Sequence, residues 1–295
     1  MKFKHTNAWR ARYDKYEFKD KNGITYITPA DGAKPKPHNL MKESEKLVID
    51  FLNVGLMMMR RTPEAEVKNA VLEFVNNYGL LGFITALPTT AKFITYEKVY
   101  FPTNHFIKDE SMETSDYLDI FFPFEKLDFT KFGQESTWHI TSEAGEDRTV
   151  LALAFTFSNE PEAVLMSFMP EYAERYDWIC RQMKDLAFSL TASFLYYNDY
   201  DELDEDERDL YRRGMAAFGG ITPTYRIVLE ERPTIIWEFH SLMSCVQTMF
   251  SFMLTDENST IRICKNCLKA FIANRHNKSF CSSECRNGYK SEREN

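Results

Sequence analysis

The chain contains no stretch of about 18 uncharged apolar residues, the length a helix needs to cross a bilayer. Its longest apolar runs are interrupted, by Asp50 within "LVIDFLNVGLMMM" and further on by Glu238, His240 and Gln247. The opening "MKFKHTNAWRARYDK" has no apolar core behind its charges, so no signal peptide is expected. A soluble, cytoplasmic protein without a membrane partner follows as the expectation. Catalytic signatures are missing as well. No phosphate-cradling glycine loop, no H-E-x-x-H and no nucleophile–base pair can be read, so an enzyme is not expected. His240 and Cys245 lie five apart, which does not place them on one helix face, and core burial accounts for both. Cysteine is sparse until the end of the chain. Cys180 and Cys245 stand alone, and isolated thiols without a secretory signal do not make a disulfide framework. Both are expected to be inert core thiols.

With 295 residues, of which 44% are hydrophobic, the chain can bury a substantial core, and one large domain with a small appendage is the natural organisation. Near the start, two β-prone stretches flank Asn22-Gly23, a dipeptide that suits a tight hairpin turn. "PADGAKPKPHN" (29–39) reads as an extended loop because three prolines interrupt pairing. Residues 44–60 read as a helix. A second is marked by Thr62 as cap, Pro63 in the first turn and Gly79 as its end, with Val67, Val71, Phe74, Val75 and Tyr78 on one face. Residues 80–140 read as short, mixed pieces. "TVLALAFTFS" (149–158) reads as a buried strand, and a long helix is expected from about Glu171 to Tyr197. "DYDELDEDERD" (199–209) holds eight acids and one arginine. Such a run repels itself and is expected in solvent, with a nucleic-acid mimic or a cation site as the alternatives. "TYRIVLEE" (224–231) reads as a strand. After Pro233 an apolar helix is expected through Ile235, Ile236, Phe239, Leu242, Met243, Val246, Met249, Phe250 and Met253, its methionines forming adaptable core. The fold class is α+β, a mostly helical main domain with short strands and an N-terminal hairpin.

The end of the chain is chemically explicit. "CKNCLKAFIANRHNKSFCSSEC" places Cys264-x2-Cys267, then thirteen residues, then Cys281-x3-Cys285. Two intervening residues let a turn aim both sulfurs at one point, and three place the second pair one helical turn apart. Four converging thiolates suit tetrahedral Zn²⁺, and with all four positions filled by protein the metal is structural rather than catalytic. An iron–sulfur cluster is the rival, without the dense cysteine runs of common ferredoxins. His276 could replace one cysteine or face solvent or phosphate. Ser282 can cap a helix that begins just after Cys281, which puts Cys285 in its first turn, and Phe271 with Phe280 can form a miniature core. So small a module would draw most of its folding energy from the metal.

Charge separates this segment from the rest. The net charge is −8, yet residues 261–295 hold eight Lys/Arg against three Glu, which is +5 there and −13 before it. Four thiolates with one Zn²⁺ contribute −2, so the loaded segment carries about +3. Arg286, Lys290 and Arg293 recur at i, i+4 and i+7, a stripe that with Arg275 and Lys278 can meet phosphates. It can equally keep the module soluble or dock on the acidic body.

"RICKNCLKAFIANRHNKSFCSSECRNGYK" resembles the treble-clef zinc finger of bacterial proteins that join an ABATE domain to a C-terminal CGNR finger. Upstream, "LVIDFLNVGL" (47–56) resembles the ABATE opening and "VLEFVNNYGLLG" (71–82) its next helix. Residues 90–220 resemble a less characterised bacterial branch. The resemblance implies an N-terminal hairpin and loop over 1–40, an ABATE-like α+β domain over 41–258 and a four-cysteine zinc finger over 259–295. It implies zinc on Cys264, Cys267, Cys281 and Cys285, and a role in transcription regulation or stress response with the finger on DNA. Departures are visible, among them a last cysteine pair, Cys281 and Cys285, that is one residue closer than the family's. The family's Gly-Asn-Arg signature is replaced by Arg286-Asn287-Gly288, and Leu268 stands where many such fingers carry glycine. The leading expectation is a zinc-binding regulatory protein, a sensor-like domain joined to a basic finger that touches nucleic acid. The alternative is a protein-interaction adaptor whose finger is purely structural, decided by whether the basic stripe is exposed or buried against the body.

Overall fold

A computed structural model describes residues 6–86, 93–102, 107–125, 162–216, 223–229, 231–256, 260–275 and 278–294. The strand expected at 149–158 and His276 lie outside them. In chain order the strands are β1 (Thr6–Asn7), β2 (Trp9–Tyr13), β3 (Tyr16–Lys21), β4 (Ile24–Pro29), β5 (Pro35–Asn39), β6 (Lys98–Tyr100), β7 (Ser111–Glu113), β8 (Glu174–Arg175), β9 (Thr224–Leu229), β10 (Pro233–Glu238), β11 (Thr260–Ile263) and β12 (Ala270–Ala273). The helices are α1 (Ser44–Met59), α2 (Glu64–Tyr78), α3 (Thr114–Phe121), α4 (Glu162–Met166), α5 (Tyr176–Asn198), α6 (Glu205–Ala216), α7 (Leu242–Leu254) and α8 (Ser283–Glu294). The fold is α+β, with helices forming the centre and small sheets lying around them.

Helix α1 is the hub. Leu47, Val48, Phe51, Leu52, Val54 and Leu56 are buried, and they face α2, α5 and α7 in one continuous core. Its approach to α5 is close because Gly55 has no side chain. A Cβ there would stand 2.1 Å from Ala187 Cβ and 3.2 Å from the Met183 carbonyl oxygen. On α2 the expected face of Val67, Val71, Phe74, Val75 and Tyr78 is buried. Its start is shifted by one residue. Pro63 occupies the capping position and Thr62 makes no cap; the Pro63 carbonyl accepts from the Glu66 and Val67 amides instead.

The hairpin at Asn22-Gly23 forms as read. β3 and β4 pair from Tyr16↔Pro29 to Lys21↔Ile24, and both turn residues have positive φ, 52° and 78°. That is the signature of the tight turn whose twist matches the flanking strands.

The segment 29–39 corrects the expectation of an unpaired loop, because its second half is β5, antiparallel to β2 from Trp9↔Asn39 to Tyr13↔Pro35. Parity explains the tolerance. The Leu40 amide donates to the Ala8 carbonyl, so amides of the same parity at His38 and Lys36 point toward β2, while positions 37 and 35 point away. Proline at the outward positions of an edge strand removes no ladder bond.

A second correction concerns the apolar run after Pro233. Pro233–Glu238 is the strand β10, held between β1 and β9, and the helix begins only at Leu242. A central strand is apolar on both faces and cannot be told from a buried helix by spacing alone. The boundary is set by Ser241, whose side chain accepts from the Ser244 amide while the Ser244 hydroxyl accepts from the Ser241 amide. The long helix likewise starts later than Glu171, since Glu174–Arg175 pairs with β4 as β8. Glu174 is fully buried. Its carboxylate accepts from the amides of Leu81, Gly82 and Phe83 and from the Tyr172 hydroxyl. Burial raises its pKa above the ordinary carboxyl value, and those four donors hold the rise in check.

The acidic run sits at the surface, as read. It forms a short turn and then the first part of α6, on which no residue is buried. Among the described residues, no helix is long and apolar enough to cross a membrane.

Candidate metal centre and its basic face

The four C-terminal cysteines converge from two local structures. Cys264 follows β11 and Cys267 closes a tight turn before β12, with the Leu268 amide donating to the Cys264 carbonyl and the Cys264 amide to the Lys269 carbonyl. Leu268 takes the left-handed conformation at φ 58°, a region that favours glycine. Cys281 precedes α8 and Cys285 lies in its first turn. Ser282 caps that turn, its Oγ accepting from the Cys285 amide at 3.2 Å.

The four sulfurs lie within 4.8 Å of one another, a cluster that can hold a metal ion. Cys267 Sγ is 3.6 Å from Cys281 Sγ, which is 3.5 Å from Cys285 Sγ. These separations are far longer than a disulfide. They are close to the tetrahedron edge of about 3.8 Å that a metal–sulfur bond of about 2.3 Å produces. The donor set therefore fits a thiophilic dication with no open coordination position.

Electrostatics differ among the thiols. Burial pushes the Cys264 thiol up, but amides of Cys281, Cys267 and Asn266 overcome this and bring its pKa down to about 6. The Cys281 amide approaches Cys264 Sγ at 3.5 Å. Cys281 is pushed up to about 12, by burial first and then by the neighbouring cysteines, and Cys267 is raised for the same leading reason. The Cys264 thiolate forms readily, whereas those of Cys267 and Cys281 need a positive charge beside them.

The hairpin is not isolated from the body. Ile261 and Ala270 belong to the main core, whereas Cys264, Phe271 and Ala273 form a small cluster of their own with Phe280 against it. Polar anchors come from α1 and α5. Asn53 bonds both backbone groups of Ala270, the Arg60 guanidinium donates to the Leu268 carbonyl, and Asn198 donates to the Ile261 carbonyl at 3.0 Å. Sequence reading missed all three, because each lies more than 60 residues from its partner and carries no motif.

The basic residues divide. Arg275, Lys278 and Arg286 line one cavity of about 650 Å³, together with Asn274, Ser279, Phe280, Cys281, Ser282 and Ser283. Arg275 and Arg286 are exposed and Lys278 is half-buried, its ammonium 5.6 Å from the Phe271 ring centre. Lys290 is exposed one turn further along α8, outside the cavity, and Arg293 follows in the last turn. The two isolated thiols are elsewhere: Cys245 is fully buried with its pKa pushed up to about 12 by that burial, and Cys180 is half-buried. Comparisons of this chain with protein-family models, curated proteins and solved structures returned no match.

Proposed function

We propose that this chain is a zinc-binding regulatory protein, akin to ABATE proteins with a CGNR-type finger, whose C-terminal module contacts nucleic acid, DNA in the first place. Zinc on Cys264, Cys267, Cys281 and Cys285 would hold turn and helix in register. Four thiolate donors with no open position support that structural role. The observation that carries the nucleic-acid reading is the convergence of Arg275, Lys278 and Arg286 on one accessible cavity, with Lys290 exposed beside it. An exposed stripe is what separates a phosphate-binding face from one neutralised by the acidic body. Phosphate contacts release counterions, so affinity should fall steeply with salt. The test is fluorescence anisotropy of zinc-loaded protein with labelled DNA across a salt series, beside metal analysis of wild type and Cys281→Ser. Absence of binding at low salt overturns the nucleic-acid reading, and full zinc retention by Cys281→Ser overturns the ligand set.

A second reading, a protein-interaction adaptor, draws on a different surface. Edge strand β9 exposes Tyr225, Ile227 and Leu229 on one face, with Leu229 83% accessible. An edge with no second neighbour among the described residues and an apolar row is suited to strand addition by a partner.

A further inference from the structure

The basic residues of the C-terminal module do not form a flat stripe alone. Three of them wall a concavity, and the concavity has a mixed lining that a simple phosphate-tracking surface does not need. Arg275 and Lys278 come from the loop after β12, and Arg286 comes from the second turn of α8. Asn274, Ser279, Ser282 and Ser283 add neutral polar groups, and among the described residues no carboxylate side chain lines the space. Phe280 contributes the aromatic surface. Its ring is half-buried and tilted against Tyr289, with centroids 5.3 Å apart. The volume, about 650 Å³, falls in the range of sites that enclose small organic ligands. Of the four metal-binding cysteines only Cys281 reaches it, so this space is distinct from the one among the sulfurs.

The start of α8 is not what makes the site. Ser282 already accepts from the Cys285 amide, and the Glu284 carboxyl is held below its ordinary pKa by its own backbone amide and then by Ser282 and Ser283. The positive character of the cavity therefore comes from side chains. Three cations beside one aromatic ring match the two halves of a nucleotide, a phosphate and a base. In a duplex the base faces are stacked inside and only phosphates and base edges in the grooves are offered to a protein, which leaves a concave pocket with an aromatic wall unused. An unpaired strand can turn a base outward and stack it on an aromatic side chain.

We infer that this cavity takes one unpaired nucleotide of a single-stranded nucleic acid, with its phosphate among Arg275, Lys278 and Arg286 and its base against Phe280. The inference rests on the nucleic-acid reading above and narrows it from duplex to single strand.

Zinc-loaded full-length protein is titrated by anisotropy, at about 50 mM salt, against oligothymidine, oligouridine and a duplex, each of about a dozen nucleotides. Both single strands should bind about tenfold or more tighter than the duplex. Arg275→Gln combined with Lys278→Gln should weaken single-strand binding about tenfold or more, and Lys290→Gln should weaken it less. Phe280→Leu should lose single-strand affinity while retaining zinc by metal analysis. If Phe280→Leu loses its metal, the Arg275/Lys278 pair alone decides the matter. Preference for oligothymidine or oligouridine identifies the sugar that the site accepts and supports the inference either way. Duplex binding as tight as single-strand binding overturns the inference and leaves the nucleic-acid reading standing. Complete competition by inorganic phosphate at the concentration where a mononucleotide competes shows an anion site without base contact, and also overturns it. No binding of any probe removes both.

Discussion

Asn53 and Ala270 meet through a two-way amide clamp, in which Asn53 Oδ1 accepts from the Ala270 amide at 2.7 Å and Asn53 Nδ2 donates to the Ala270 carbonyl at 3.2 Å. A side chain on the central helix thus stands beside strand β12, which among the described residues pairs with β11 alone. The cysteine-bearing hairpin is tied to the protein's core at a point one turn of chain away from Cys267.

Removing the clamp should loosen the metal centre without touching a ligand. Asn53→Ala leaves both backbone groups of Ala270 without their partner, at a cost of about 1–3 kcal/mol. Zinc release to a competing chelator should be faster than in wild type. Asn53→Asp, which keeps only the acceptor, should be intermediate. Release rates equal to wild type in both variants would show that the hairpin holds its metal independently of α1.

Gly55 fixes the distance between α1 and α5. Gly55→Ala places a methyl 2.1 Å from Ala187 Cβ, inside any allowed contact, so the helices must separate. Overpacking of this kind costs about 1–3 kcal/mol, seen as a lower thermal midpoint. The double variant Gly55→Ala with Ala187→Gly should recover part of the loss. No recovery would place the strain at the Met183 carbonyl rather than at Ala187.

At Leu268 the backbone takes φ 58° with a branched side chain that is 46% exposed. Left-handed conformation costs a non-glycine residue about 1–2 kcal/mol, and little packing is lost on truncation here. Leu268→Gly should raise the denaturant midpoint and slow zinc loss. A midpoint below wild type would mean that the leucine side chain contributes more than its strain costs.

Acid should weaken the fold through His38. Its ring stacks on Tyr78 with centroids 6.1 Å apart, and Nε2 lies 3.4 Å from Glu43. Burial lowers its pKa below the usual 6.5; Glu43 opposes the shift and Arg12 adds to it. A histidine with a depressed folded pKa is protonated first in the unfolded chain. Stability is then complete above 6.5 and declines as pH falls through and below that value. His240, lowered by burial as well, adds to the same decline. Denaturation midpoints measured from pH 8 to pH 5 should fall, and less steeply in His38→Gln. An identical slope in the variant would assign the decline to other groups.

Local chemistry determined much of this protein from sequence alone. The Asn-Gly hairpin, the buried face of α2, the solvated acidic run and the Ser282 cap all depend on residues within a few positions of one another. So does the convergence of each cysteine pair, because a two-residue turn and a helical turn fix sulfur directions without help from the rest of the chain. The tertiary structure decided what depends on distant partners. Pro35 and Pro37 became strand residues because β2 lies on the side away from their ring nitrogens. Ile235 and Ile236 became a strand because β1 and β9 flank them, although their spacing also fits a helix. Asn53 and Arg60 became supports of the cysteine-bearing hairpin across more than 200 residues of sequence. Arg275, Lys278 and Arg286 were legible as positive charges, and only folding turned them into the wall of one cavity. Charge and spacing are properties of the chain, whereas concavity and pairing exist only once separate segments are brought together.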